Sequence, residues 1–207
     1  MPVNSLNPRL YLASRSPRRR ELLGQIGVQF DTIVFRSGVR EDHEIDETPH
    51  AGESPVDYVE RVARAKAAHG ARIVGWRKML PQPVLAADTT LEFAGEVIGK
   101  PLDASDAQAI LRRLSGQTHR VLTCVAVAFE DRLESVISVS DVRFAVLDET
   151  EIRHYVASGE PMDKAGAYGI QGRAGLFVEH LSGSYSGVMG LPLCETGALL
   201  KRFAFPL

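Results

Sequence analysis

Two long stretches of alternating apolar and polar residues in the second half of the chain constrain the fold most. They read HRVLTCVAVAFED and LESVISVSDVRFAVL, at residues 119–131 and 133–147. Alternation with a period of two is typical of strands that have one buried face, and the short connection between the stretches favours antiparallel pairing. The sequence therefore predicts a sheet that contains a long antiparallel hairpin.

Further strands and helices are expected before and after this hairpin. Apolar runs predict strands at residues 9–13, 30–35 and 83–93. Apolar residues at helical spacing predict helices at residues 17–26, 56–69, 106–114, 149–158 and 191–203. Ser105 is the expected N-cap of the helix at 106–114. The glycine-rich stretches GAYGIQG and GLFVEHLSGSYSGV are expected to form short strands and turns. Because helices and strands mix without strict βα repetition, we expect an α/β or α+β fold with a mixed sheet, in one domain over residues 1–207.

The composition excludes several classes of protein. The 207 residues carry a formal net charge of −2, whereas a general nucleic-acid binder needs a basic excess. The chain contains two cysteines, which are too few for a disulfide scaffold or a cysteine-rich zinc site. We find neither a signal peptide nor an apolar run long enough for a membrane span, so we expect a cytoplasmic protein.

The segment LASRSPRRRELL, residues 12–23, combines a helix start with three adjacent arginines. Ser16 supplies an N-cap hydroxyl, and Pro17 suits the first helical position. The three arginines at 18–20 repel one another unless water separates them or a negative group lies nearby. The segment therefore indicates either a solvated helix start or a site for an anion.

Asp88 and Lys100 are candidates for chemistry in the middle of the chain. Asp88 follows VLAA near the end of a predicted buried strand, where a carboxylate is costly unless it is paired or binds metal. Strand ends that face a crevice are also common ligand sites. Lys100, in the turn GKP, offers a point charge suited to phosphate. The alternatives are a capping or turn aspartate and a surface lysine.

Two further segments add candidates. MDKAGAYGIQG, residues 162–172, has a glycine-rich backbone, and its Gln171 presents the donor and acceptor that a nucleobase edge needs. The alternative is a structural turn cluster. Glu47 could join Asp88 as a hard-oxygen metal ligand, unless it is a solvated loop acid. Together, the arginines, lysines, acids and glycine turns favour a polyphosphate ligand with a divalent cation.

Four motifs, in order and at compatible spacing, resemble the Maf family of nucleotide pyrophosphatases. They are LASRSPRRRELL, AADTTLEFAGEVIGKP, EPMDKAGAYGIQG and GSYSGVMGLP. The resemblance implies a mixed α/β fold with an elongated sheet, helices around it, and two lobes with a central cleft, related to inosine-triphosphate pyrophosphatases. It also implies cleavage of a nucleoside triphosphate between its α and β phosphates with Mg²⁺ or Mn²⁺ as cofactor, and it is compatible with a homodimer.

The resemblance assigns catalytic roles to four residues. Asp88 matches the base that activates water, and Lys66 and Lys100 match the lysines of the catalytic set. Glu47 matches an acid that would share the metal site with Asp88. These roles are expectations that the fold has to accommodate.

The resemblance also assigns contacts with the substrate. The residues expected around the triphosphate are Ser14, Ser16, Arg18 and Arg19. Arg18, Thr89 and Gln171 would set specificity, and they resemble the branch that acts on dTTP and UTP. The alternatives are the 7-methyl-GTP branch and a nucleotide-sensing regulator, for instance of septum formation, that needs no turnover. The sequence departs from the family at Gly187, where a polar residue is commoner, and SGVREDHEI lengthens the acidic loop before Glu47.

Overall fold

A mixed β-sheet runs through the part of the chain that the structure, a computed structural model, describes, namely residues 8–33 and 45–207. Its strands are β1 (Arg9–Leu12), β2 (Gln29–Thr32), β3 (Val84–Phe93), β4 (Glu96–Ile98), β5 (Thr118–Phe129), β6 (Arg132–Phe144) and β7 (Val178–Ser182). Their order is β2-β1-β3-β5-β6-β7, and β4 pairs with the end of β3. β1 is parallel to β2 and β3, whereas the other pairs are antiparallel. The expected mixed sheet is confirmed.

Helices flank this sheet and close three buried apolar clusters. The helices within the described residues are α1 (Pro17–Gln25), α2 (Pro55–Trp76), α3 (Ala104–Leu114), α4 (Glu149–Ala157), α5 (Tyr185–Met189) and α6 (Leu193–Arg202). One cluster joins α2 to the sheet, and a second joins α1 and α6 to it. The third cluster packs α3 and α4 against the far ends of β3, β5 and β6. The described chain therefore has apolar clusters beside α2, beside α1 and α6, and at the far ends of the long strands.

The predicted hairpin is formed by β5 and β6. Their pairing is continuous from Thr118 opposite Arg143 to Phe129 opposite Arg132. β3 lies between β1 and β5, and most of its residues are buried. Successive side chains of a strand point to opposite faces of the sheet, so β3 supplies alternate residues to the α2 face and to the α1 face.

The end of α2 and the start of α3 differ most from the predictions. α2 continues to Trp76, beyond the expected end at residue 69. A Cβ atom at Gly70 would lie 2.7 Å from Val84 Cγ1, so this glycine permits close packing of α2 on β3 and does not end the helix. α3 is capped by Asp103, not by Ser105: the Asp103 side chain accepts a hydrogen bond from the backbone N–H of Asp106.

The glycine-rich C-terminal part contains less strand than expected. GAYGIQG forms no strand, because residues 165–167 and 173–177 make short 3₁₀ helices around it. Of the following stretch, Val178–Ser182 is a strand, and Tyr185–Met189 is a short helix capped by Ser184.

Some predictions lie partly outside the described residues. The strand expected at 30–35 begins at Gln29 and ends at Thr32 within the described part, and residues 34 and 35 are outside it. Most of the lengthened acidic segment, residues 37–44, is outside it as well. Within residues 8–33 and 45–207, no helix is both long and apolar enough to cross a membrane.

Candidate active site

A cleft of about 990 Å³ opens beside the middle of β3. Its lining comes from the start of α1, the segment before α2, α2 itself, β3, the turn after β4 and the segment after α4. All the site residues expected from the sequence line it, namely Ser14, Ser16, Arg18, Arg19, Glu47, Lys66, Asp88, Thr89, Lys100 and Gln171. The structure therefore brings these residues together, while the role of each stays a prediction.

Asp88 lies on the α2 face of β3 and is held by a lysine. Its side chain is only 11% exposed, and Oδ1 accepts a hydrogen bond of 2.8 Å from Lys66 Nζ. The same ammonium group lies 2.9 Å from Glu47 Oε1. Lys66 therefore bridges two carboxylates, which is the pairing that a buried acid requires.

The segment that carries Glu47 is fastened to α2 by two residues that the sequence analysis missed. Tyr58 donates to the backbone carbonyl of Glu47 at 2.9 Å, and Arg61 donates to the carbonyls of Asp46 and Thr48, each at 2.9 Å. Burial, followed by the negative charges of Asp88 and Glu47, raises the pKa of Tyr58 to about 12. Tyr58 thus stays a neutral donor at physiological pH. The predicted helix includes Tyr58 and Arg61, but no local sequence pattern reveals that their side chains contact an irregular segment.

The start of α1 presents a guanidinium group to the opposite face of β3. Arg19 donates from Nε to the carbonyl of Gly190 at 2.8 Å, and from its terminal nitrogens to Ser14 Oγ and Thr89 Oγ1, each at 3.2 Å. Ser16 caps the helix as predicted. Among the described residues, every hydrogen-bond partner of Arg19 is neutral. Burial lowers the pKa of the guanidinium group, which marks a cation that lacks a fully compensating anion.

A second arginine reaches across the cleft. Arg18 Nη1 lies 4.0 Å from Asp163 Oδ2, and Asp163 also accepts a 2.6 Å hydrogen bond from Lys164 Nζ. Burial raises the pKa of the Asp163 carboxyl, but the bond from Lys164 and its charge outweigh this effect and lower it overall. Asp163 and Lys164 line the cleft although the sequence analysis assigned them no role. Their position in a glycine-rich turn was the available signal.

Gln171 and Lys100 are exposed lining residues, and neither forms a hydrogen bond with the described part of the chain. The backbone on both sides of Gln171 is nevertheless held. Tyr155 OH accepts from the N–H of Gly169 at 3.2 Å and donates to Glu160 Oε1 at 3.0 Å. Glu160 Oε2 in turn accepts from the N–H of Arg173 at 3.2 Å. The amide of Gln171 is thus free for a ligand on a fixed backbone.

Glu47 and Asp88 were expected to hold a divalent cation. Within residues 8–33 and 45–207 no group of three histidine, cysteine or acidic side chains suits a metal. Mg²⁺ is usually bound by one or two carboxylates together with substrate phosphates and not by an all-protein cage. Both carboxylates are paired with Lys66 Nζ in this structure, so a cation held by them jointly with a polyphosphate stays a prediction.

Comparisons with known proteins agree with this arrangement. The family model described as Maf-like protein matches residues 9–203. The dTTP/UTP pyrophosphatase of Dechloromonas aromatica is 72% identical over 197 residues, covering 95% of this chain and 98% of that protein. The corresponding protein of Aromatoleum aromaticum is 62% identical over 206 residues, covering 99% of this chain and 100% of that one.

Among solved structures, the Staphylococcus aureus Ham1 protein aligns with a TM-score of 0.51 at 15% identity, covering 94% of this chain and 98% of that one. This likeness shows a shared fold and confirms the mixed α/β architecture. The family match covers nearly the whole chain, and it includes every residue that was singled out from the sequence. The chain therefore belongs to the Maf-like protein family.

Proposed function

We propose that the protein hydrolyses dTTP and UTP between the α and β phosphates, giving a nucleoside monophosphate and pyrophosphate. Its relatives with 62% and 72% identity are named dTTP/UTP pyrophosphatases and match along 100% and 98% of their length, respectively. One observation carries the proposal: a single cleft holds a guanidinium group with neutral partners and a buried carboxylate held by a lysine. The first is suited to phosphate and the second to activation of water.

The phosphate end of the substrate would lie at the start of α1. Arg19 already has its fork fixed by three acceptors, so it can bind phosphate oxygens with little further ordering. Arg18 would exchange the carboxylate of Asp163 for a phosphate. The hydroxyls of Ser14 and Ser16 lie beside them, and the helix N-terminus adds a favourable field for an anion.

The reacting end would lie at Asp88. Its Oδ1 is occupied by Lys66, whereas Oδ2 makes no hydrogen bond within the described residues. In the proposed reaction Oδ2 accepts the proton of the attacking water. Lys66 holds the carboxylate in place, and Lys100 supplies a positive charge for the phosphates as negative charge develops.

We include a divalent cation, Mg²⁺ or Mn²⁺, in this proposal. Glu47 and Asp88 would hold it together with the phosphates, because both carboxylates contact the same ammonium group, Lys66 Nζ, and both line the cleft. When bound, such an ion neutralises charge on the phosphates.

The pyrimidine would be read by Gln171. Its amide offers an NH₂ donor group and a carbonyl acceptor, which match the carbonyl and N–H groups that thymine and uracil share along one edge. Tyr155 and Glu160 bind the backbone on both sides of Gln171 and form a clamp around it. This clamp supports the role of Gln171, since a side chain that sets specificity needs a fixed backbone position.

The test is release of pyrophosphate from a panel of nucleoside triphosphates with Mg²⁺ or Mn²⁺, comparing the wild type with Asp88→Asn. Loss of a positioned general base should reduce kcat by about 10² to 10⁴. Asp103→Asn is the matched control, because asparagine also caps helices and α3 should keep its N-cap. Chelation of the cation should abolish release by the wild type.

The panel also separates the alternatives. Release mainly from 7-methyl-GTP would replace the pyrimidine assignment and keep the mechanism. Tight binding of triphosphates without release would favour a nucleotide sensor. Turnover of Asp88→Asn at the wild-type rate would remove Asp88 from the reaction.

A further inference from the structure

We propose that Thr123, on β5, is a positioning residue that fixes Arg19 through Thr89 and through α5. The inference rests on the proposed function, because it takes Arg19 as a ligand of the phosphates. Thr123 does not line the cleft and is only 1% exposed, so it cannot touch a substrate itself. Its action has to pass through other groups.

The two threonines lie directly opposite each other on paired strands. Thr89 on β3 pairs with Thr123 on β5, and their hydroxyl oxygens are 2.9 Å apart. Thr123 Oγ1 also lies 2.8 Å from the carbonyl oxygen of Gly187, at the centre of α5. Such cross-strand hydroxyl pairs stabilise sheets. Here each hydroxyl also has a second partner, which is Arg19 for Thr89 and the carbonyl of Gly187 for Thr123.

The direction of every proton in this chain of groups follows from its ends. The carbonyl of Gly187 can only accept, so Thr123 donates its single hydroxyl proton there. Thr89 must then donate its own proton to Thr123, since two facing lone pairs would repel. Thr89 is left with lone pairs alone, and one of them accepts the bond from Arg19. Thr89 therefore serves Arg19 as an acceptor and has no proton to offer a substrate.

The same groups close a ring around Arg19. Arg19 donates to Thr89, Thr89 to Thr123, and Thr123 to the carbonyl of Gly187. Gly187 lies in α5, and Gly190 is the capping residue at its end. The N–H of Gly190 donates to the carbonyl of Gly187, and the carbonyl of Gly190 accepts from Arg19 Nε. Thr123 thus orients two of the three acceptors that hold the guanidinium fork. Gly187, which departs from the family pattern, takes part through its backbone, so a side chain is not needed there.

Thr123→Val tests the inference, because valine has nearly the same shape and lacks the hydroxyl. The released Thr89 proton can then turn toward Arg19, and the carbonyl of Gly187 loses the bond from Thr123 and keeps only the one from the N–H of Gly190. We expect the Kd of the wild-type chain for inorganic tripolyphosphate to rise about three- to tenfold, the scale of one lost hydrogen bond. The KM for dTTP should rise by the same factor while kcat stays unchanged.

Two variants separate positioning from packing. Thr123→Ser keeps the hydroxyl and should restore wild-type binding. Thr196→Val is the matched control, since Thr196 is fully buried and its hydroxyl has no hydrogen-bond partner within residues 8–33 and 45–207. It should bind tripolyphosphate like the wild type.

The inference is overturned if Thr123→Val binds tripolyphosphate as tightly as the wild type, or if Thr123→Ser is as weak as the valine variant. An equal loss in Thr196→Val would also overturn it, because the effect would then be a general response of the core. Calorimetric binding of tripolyphosphate needs no turnover. Failure of the proposed hydrolysis and failure of this inference therefore give different results.

Discussion

Replacing Arg19 by glutamine should weaken polyphosphate binding and lower the stability of the ligand-free protein by no more than about 1 kcal/mol. Burial lowers the pKa of this guanidinium group, so the fold disfavours its charged form relative to water. Its described partners are two hydroxyls and one carbonyl, none of which carries a negative charge. Removing the charge relieves this cost in the free protein and deletes the attraction for phosphate in the complex.

The size of the binding effect follows from Coulomb's law. Two unit charges 4 Å apart interact by about 4 kcal/mol at an effective dielectric constant of 20, and by about 1 kcal/mol in bulk water. Arg19 is half-buried beside an open cleft, so a value of about 2 kcal/mol is appropriate. The Kd for tripolyphosphate should therefore rise about 30-fold.

The assay is titration calorimetry with tripolyphosphate, alongside urea unfolding of the free protein. Arg20→Gln is the matched control: Arg20 is exposed on the same helix and does not line the cleft. Equal affinity of the two variants would contradict a role of Arg19 in binding phosphate. A decrease of more than about 1 kcal/mol in the free energy of unfolding of Arg19→Gln, the scale of a lost net hydrogen bond, would contradict the cost assigned to its charge.

Two further predictions concern stability and the specificity segment. Burial lowers the pKa of His119 from 6.5 to about 4, so stability is complete above the unfolded value and falls as the pH drops from 6.5 toward 4. By pH 5 the loss should reach about 2 kcal/mol, and urea unfolding of His119→Gln should show no such pH dependence. A Cβ atom at Gly172 would lie 2.1 Å from Glu160 Oε1, so Gly172→Ala should break the clamp beside Gln171 and cost about 1–3 kcal/mol. The ratio of kcat/KM for dTTP to kcat/KM for dCTP should fall in Gly172→Ala. The control is Gly24→Ala, which has open space around the added Cβ atom and should stabilise α1 without changing that ratio. An unchanged ratio in Gly172→Ala would contradict the role of the clamp.

Local patterns predicted most of the sheet and the helix starts. The β5–β6 hairpin follows from residue alternation, and the α1 start follows from a serine before a proline. The errors arise where tertiary contacts override local preference. Gly70 is a poor helix former in isolation, yet the close approach of α2 to Val84 favours it there.

The resemblance predicted which residues line the cleft. It did not predict the side chains that hold these residues in position. Tyr58 and Arg61 act on backbone carbonyls of an irregular segment, and Thr123 acts through another threonine on a neighbouring strand. Each of these side chains has an ordinary place in a helix or strand pattern. Their partners are known only once the register of β3 against β5 and the path of the segment before α2 are known.

The three adjacent arginines of α1 illustrate how the fold decides between two readings of one motif. Successive residues of a helix point about 100° apart, so the three side chains diverge. Arg18 lies opposite Asp163, Arg19 turns to Thr89 and Gly190, and Arg20 is exposed. The reading as a solvated helix start therefore holds for the third arginine alone. The first two contribute to one cleft from different directions, and a polyphosphate there would reduce the repulsion between them.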